Sequence, residues 1–133
     1  MSQENIDLVR RAFEAFSERN LDALLELADP EVEFLAPTAE LAGHKTPYRG
    51  LEGLRKYLED VASIWEELEV IPHEFRETGD LVVALGRVYA RGSDGLVVDA
   101  PTGWVWTVRA GKIVSGRVYT SREEALGAAG LRD

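Results

Sequence analysis

This sequence of 133 residues contains no cysteine, only two histidines and no long apolar run. Without cysteine it can form neither a disulfide framework nor a zinc ribbon, and it has no thiol nucleophile. His44 and His73 lie far apart and lack the close spacing of metal-binding motifs, so no metal site is predicted. No apolar segment approaches the roughly 20 residues that a membrane-spanning helix needs. The first residues also lack the basic and apolar regions of a signal peptide, so we expect a cytoplasmic protein with no membrane partner.

The charge balance is acidic, with a formal net charge of −9 at pH 7. Such a chain is repelled by phosphate backbones, so we expect no nucleic-acid partner. Phosphate-binding glycine-rich loops and the GxSxG nucleophile motif are also absent, which argues against nucleotide cofactors and serine hydrolase chemistry. We therefore expect no cofactor. The length fits a single domain that covers residues 1–133.

Helical periodicity marks the first half of the chain. Apolar residues recur every three or four positions over 3–18 and again over 51–65, which predicts two amphipathic helices. Asn20 can cap a short helix that Pro30 ends. Residues 36–50 contain two prolines and two glycines and are predicted to be a loop.

The second half of the chain has the pattern of a sheet. A short strand is predicted over 31–35, and four longer extended stretches follow the third helix: 68–78, 80–92, 95–109 and 112–120. Turn signals separate the long stretches, so we expect an antiparallel meander. Ser121-x-x-Glu124 is a capping box for a last short helix, which Gly130 closes. Helices first and strands later predict an α+β fold with the helices on one face of a curved sheet.

Strand periodicity predicts what each face of the sheet does, because successive side chains point to opposite faces. One face of the last three strands is uncharged and mostly small, and we expect it to meet the helices around a ligand cavity. The predicted lining residues are aromatic, hydroxyl-bearing or aliphatic: Phe34, Tyr57, Trp65, Thr102, Trp104, Trp106 and Val118. The alternative is that the aromatic side chains simply fill this space as core.

The opposite face carries arginine and tyrosine, which are enriched at protein interfaces. We expect a homodimer that forms through this face, with Arg87, Tyr89, Arg117 and Tyr119 in the interface. Two alternatives stay open, namely a solvated face whose charges have no partner and an anion-binding patch. Asp99 has the parity of this outer face.

Five short patterns follow one another along nearly the whole chain, at residues 9–16, 27–34, 48–54, 105–113 and 117–126. Together they resemble the SnoaL-like branch of the nuclear transport factor 2 superfamily, which includes ketosteroid isomerases, polyketide cyclases and limonene epoxide hydrolases. The resemblance implies a cone-shaped α+β barrel with a pocket between helices and sheet, commonly dimeric through the sheet.

The catalytic groups of that family do not carry over. A ketosteroid isomerase-like site implies a carboxylate near Phe34, a buried acid near Trp104 and a tyrosine near Ala12, and these three residues cannot transfer a proton. A cyclase-like site implies an acid within 118–121, where none is present. The remaining catalytic candidates are His44, Glu40 and Tyr48, which share the 36–50 loop and can flank the mouth of a pocket. The alternative for His44 is an ordinary surface histidine.

These observations lead to two hypotheses from different classes. The first is a SnoaL-like protein that binds a small apolar or aromatic molecule, with cofactor-independent isomerase, cyclase or hydratase chemistry as a further option. The second is a non-catalytic homodimeric domain that acts by association with other proteins.

Overall fold

The computed structural model describes residues 2–43 and 47–132, without the side chains of Ser2 and Glu40. Within these ranges the helices are α1 (Ser2–Ser17), α2 (Leu21–Leu27), α3 (Pro37–Leu41), α4 (Gly50–Ile64) and α5 (Arg122–Ala128). The strands are β1 (Ala28–Leu35), β2 (Tyr48–Arg49), β3 (Trp65–Thr78), β4 (Leu81–Gly92), β5 (Val97–Arg109) and β6 (Lys112–Tyr119). None of these helices has the length and the apolar character needed to cross a membrane.

The strands form one sheet in the order β2-β1-β6-β5-β4-β3, so β3 and the two-residue strand β2 are its edges. Strands β3, β4, β5 and β6 pair with one another in sequence order, and each of these pairings is antiparallel, which confirms the predicted meander. The β5–β6 turn has positive φ at Ala110 (50°) and Gly111 (74°), as a two-residue hairpin turn requires. Strand β1 joins β6 in parallel. The α+β class is therefore confirmed, with a curved sheet that does not close on itself.

Both predicted helix caps form. The Asn20 side chain accepts a hydrogen bond from the Ala23 amide at 3.1 Å, and α2 begins at the next residue. The Ser121 hydroxyl accepts from the Glu124 amide at 3.1 Å, as the capping box predicts. These bonds satisfy amide groups that have no partner within the helix.

Three local predictions are wrong. Helix α2 ends at Leu27 rather than at Pro30, which instead lies in β1 where the pairing with β6 is irregular and the missing amide is tolerated. The 36–50 segment is not all loop, because it contains α3 and β2. Proline suits the first position of a helix, and Pro37 occupies that position in α3. Trp65 is the first residue of β3 rather than the last of the helical stripe.

The uncharged face of the sheet packs against the helices, as predicted. Val82 and Ala84 on β4 are completely buried there, and Val9 and Phe13 bring α1 against them. Cross-strand neighbours keep the same parity, since Ala84 lies opposite Trp104. The interior between the helices and this inner face holds the candidate site.

The outer face is partly covered by the chain itself. Helix α5 packs Ala125 and Leu126 onto Val83 and Leu85, and all four residues are buried. Gly103 permits this close approach, because a Cβ atom there would lie 2.3 Å from the Ala125 Cβ. The strand patterns did not predict this cover.

Beyond α5, the outer face stays open. Arg87 donates a hydrogen bond to Asp99 at 2.9 Å, so Asp99 lies on the predicted face and has a partner. Ile71 and Val97 flank this pair and are exposed. Arg117 lies over the Tyr119 ring at 5.0 Å, at the edge of the α5 cluster. The predicted interface residues are thus divided between an open region and the border of α5.

Candidate functional site

Two adjacent cavities lie inside the fold. The outer cavity has a volume of about 300 Å³ and lies between α3, the first part of β3 and the inner faces of β4, β5 and β6. The inner cavity has a volume of about 80 Å³ and lies deeper, against α1, α2, α4 and β1. Ligand sites are concave, mostly apolar and a few hundred cubic ångströms or larger. The outer cavity therefore has the size and the character of a small-molecule site.

The structure brings all seven predicted lining residues to these two cavities. Trp65, Thr102 and Val118 line the outer cavity, and Phe34 and Trp106 line the inner one. Tyr57 and Trp104 line both cavities. Strand parity read from the sequence placed Thr102, Trp104, Trp106 and Val118 on one face, whereas Tyr57 and Trp65 were predicted from the periodicity of the third helix. That they bind a ligand stays a prediction.

Two exposed leucines mark the mouth of the outer cavity. Leu41 on α3 is 53% exposed and Leu96, just before β5, is 46% exposed, and both line the cavity. Neither leucine was predicted to be a site residue. Leu96 has the parity of the inner face and could have been found, whereas Leu41 lies on the helix that was predicted to be loop.

A cage of aromatic rings holds Tyr57. The ring centroids of Phe34, Tyr48 and Phe16 lie 4.8, 5.2 and 5.6 Å from that of Tyr57. Burial raises the pKa of Tyr57, so its hydroxyl stays protonated at neutral pH. This hydroxyl makes no hydrogen bond to another described residue. Tyr57 can therefore donate to an acceptor atom of a ligand, but it cannot serve as a base.

Tyr48 was predicted to lie in a loop that flanks the mouth of the pocket, but the structure holds it away from both cavities. It lies in β2, is 5% exposed and donates a hydrogen bond from its hydroxyl to Asp60 Oδ2 at 2.7 Å. Burial and this bond raise the pKa of Tyr48. Lys56 Nζ lies 3.2 Å from the other carboxylate oxygen of Asp60. The group is a buried structural anchor and lines neither cavity in the described structure.

Asp60 is only 6% exposed and was not predicted to be a buried residue. Its one local signal is the four-residue spacing from Lys56, which is typical of a helical ion pair on a solvated face. Nothing within α4 indicates the contact with Tyr48, because that contact joins the helix to a strand that was not predicted.

Hydroxyl and indole groups supply the polarity of the cavities. The Trp65 indole N–H donates to the Thr38 hydroxyl at 3.2 Å, and the Thr102 hydroxyl donates to the Ala100 carbonyl at 3.2 Å. The Trp106 indole nitrogen is buried without a hydrogen-bond partner in the described structure. Among the side chains that the structure describes, which do not include that of Glu40, no aspartate, glutamate, lysine, arginine or histidine lines either cavity. The described lining can bind a neutral ligand, but it offers no strong acid or base.

The positions at which the resemblance implies catalytic groups are found inside the fold. Ala12, Phe34 and Trp104 all line the inner cavity, where their side chains can neither gain nor lose a proton. Of the loop candidates, His44 lies outside the described residues, and Glu40 lies in α3 with a side chain that is not described. No group of three or more potential metal ligands occurs in the described part of the chain.

Comparison with known proteins supports the fold. A protein-family profile described as a SnoaL-like domain matches residues 9–116. An NTF2-like protein of unknown function from Burkholderia pseudomallei is 23% identical with a TM-score of 0.79, and the match covers 93% of this chain and 95% of that chain. TerC, crystallised with polyporic acid, is 24% identical with a TM-score of 0.79 and coverages of 89% and 92%.

A further similar structure is IdmH from Streptomyces antibioticus, described as a candidate polyketide cyclase. It is 26% identical with a TM-score of 0.68, and the match covers 96% of this chain and 99% of IdmH. The search of curated proteins finds no match. Because the family profile covers most of the chain and the fold agrees with it, this protein belongs to the SnoaL-like domain family.

Proposed function

We propose that this protein binds a small apolar, aromatic or polycyclic molecule in the outer cavity. The observation that carries the proposal is a cavity of about 300 Å³ whose described lining is uncharged, mostly aromatic and aliphatic, and bordered by two exposed leucines. Exposed leucines at a cavity mouth are covered when an apolar ligand binds, which stabilises the complex. TerC, which has a similar fold, was crystallised with the small molecule polyporic acid, and this supports small-molecule binding here.

Binding is favoured over catalysis by the chemistry of the described lining. Isomerase, cyclase or hydratase reactions all move protons, and proton transfer requires an acid or base within hydrogen-bond reach. Burial raises the pKa of Tyr57 and keeps its phenol neutral, and the threonine hydroxyls of the lining form hydrogen bonds but do not act as proton-transfer groups. A cofactor-independent reaction of this kind would therefore depend on Glu40 or His44, the two catalytic candidates whose side chains lie outside the described structure. The description of IdmH keeps such a reaction within the proposal.

The test uses N-phenyl-1-naphthylamine, a neutral aromatic probe that becomes fluorescent in apolar sites. We expect the wild type to bind it, and we expect Leu96→Asp to weaken binding about fivefold or more, because a charged group replaces part of the apolar mouth. Leu51→Asp is the matched control, since Leu51 is also exposed (38%) but lines neither cavity. Absence of binding to the wild type, or equal losses in both variants, would refute the proposal.

A second candidate function is association into a homodimer through the open part of the outer face. Exposed Ile71 and Val97 on either side of the Arg87–Asp99 pair favour it, since apolar side chains around a polar pair are typical of interfaces. We expect a wild-type dimer by size-exclusion chromatography with light scattering, and a monomer after Arg87→Glu combined with Arg117→Glu. Arg55→Glu on α4 is the control. A monomeric wild type at tens of micromolar would refute this candidate.

A further inference from the structure

Three residues line both cavities, and we propose that they form a fixed partition that limits how deeply a ligand enters. They are Tyr57 on α4, Val70 on β3 and Trp104 on β5. Because the partition concerns the depth of the same site, this inference rests on the proposed function. It assigns to Val70 the role of setting the length of the longest ligand that fits.

The two aromatic members of the partition are held by their surroundings. Tyr57 touches three other rings, and one of these belongs to Tyr48, whose hydroxyl is bonded to Asp60. Trp104 is 3% exposed and meets the ring of Phe13 edge-on at 5.1 Å. Rotation of either ring requires the displacement of closely packed neighbours. The partition is therefore a wall rather than a gate.

Val70 is the member that a substitution can shorten with the least disturbance. It lies on the edge strand β3 and is only partly buried, and no aromatic ring contact depends on it. Its branched side chain has few rotamers and so presents a fixed surface to both cavities. Behind it, the lining of the inner cavity is almost entirely apolar and includes Leu24 and Ile113. An alkyl chain that passes the partition would find apolar surface to cover.

The test measures the affinity of n-alkylbenzenes, from toluene to hexylbenzene, by displacement of N-phenyl-1-naphthylamine. While an added methylene group finds apolar surface, the affinity rises about fourfold. In the wild type we expect this rise to stop at the chain length that reaches the partition. Val70→Ala removes two methyl groups from the partition, and in this variant we expect the rise to continue for at least one more methylene group.

Val88→Ala is the matched control. Val88 is the cross-strand partner of Val70 and loses the same two methyl groups, but it lines the outer cavity alone. We expect it to change affinity without moving the chain length at which the rise stops. Trp104→Phe opens the partition from the sheet side and provides a second test if Val70→Ala is too unstable, as judged by circular dichroism.

The outcomes are distinguishable. A rise that continues through hexylbenzene in the wild type would overturn the partition and leave the proposed binding function intact. An unchanged break point in both Val70→Ala and Trp104→Phe would do the same. Failure of the wild type to bind either the probe or any alkylbenzene would refute the binding function, and the partition with it.

Discussion

Substitution of Tyr48 by phenylalanine tests the buried anchor between β2 and α4. The change removes the hydroxyl that donates to Asp60 at 2.7 Å and leaves a carboxylate that is only 6% exposed with one hydrogen bond fewer. Loss of a hydrogen bond to a charged group costs about 1.5–3 kcal/mol. Lys56 remains 3.2 Å from the carboxylate and offsets part of the loss, so we expect about 2 kcal/mol. For a chain of this size that is a fall in Tm of roughly 6–10 °C.

Thermal and urea unfolding followed by circular dichroism measure this loss. Tyr89→Phe is the control, because Tyr89 lies on the outer face and its hydroxyl bonds to no other described residue; we expect a change within about 0.5 kcal/mol. A double-mutant cycle with Asp60→Asn isolates the interaction, for which we expect a coupling of about 1 kcal/mol or more. A variant as stable as Tyr89→Phe, or a coupling near zero, would show that the anchor does not stabilise the fold.

The pH dependence of the same pair has a definite sign. Folding raises the pKa of Tyr48 above its ordinary value of 10.0, because burial and the nearby Asp60 carboxylate disfavour the phenolate. The stability that the neutral phenol contributes is therefore fully present below pH 10 and is lost as the pH rises further. Tyr48→Phe should remove this part of the alkaline loss, and an unchanged alkaline profile would contradict the assignment.

Two further predictions concern the packing of α5. Hydrogen bonds from Arg76 and Arg122 lower the pKa of Glu74, which is partly exposed. Glu74→Gln should therefore lower the free energy of unfolding by about 0.5–1 kcal/mol at pH 7, measured by urea unfolding. The difference between the variant and the wild type should vanish as the pH falls below about 4, because Glu74 then becomes protonated. Gly103→Ala places a methyl group against α5 and should cost about 1–3 kcal/mol in the same assay, whereas Gly127→Ala, in open space on the helix, should stabilise by up to about 1 kcal/mol. Equal effects of the two glycine substitutions would contradict the packing of α5.

Much of the fold could be predicted from the sequence because its signals are local. The meander follows from turn residues such as Ala110 and Gly111, which adopt the positive φ angles that the turn needs. The two faces of the sheet follow from strict alternation along β4 and β5. This alternation placed Trp104 and Trp106 on the inner face, where both now line the inner cavity.

What could not be predicted depends on contacts between distant parts of the chain. Asp60 looks like a solvated helix residue until β2 places Tyr48 beside it. The cover of Val83 and Leu85 by α5 requires a helix some 40 residues away to fold back over the sheet, and the role of Gly103 becomes visible only then. The short helix α3 was not predicted because Pro37, its first residue, and Gly43, which follows it, are equally typical of loops.

The edge strand β3 bears on whether the sheets of two copies of this protein can pair with each other. Strand β3 is an edge of 14 residues, and backbone groups at a sheet edge can pair with another strand. Here Pro72 withholds one amide from such pairing, the register shifts between Pro72 and Glu74, and glutamates alternate along the strand at 67 and 69. Two such acidic edges repel each other and cannot align over their full length. We expect these features to disfavour edge-to-edge pairing between the sheets of two copies, which is the contact through which unprotected edges aggregate.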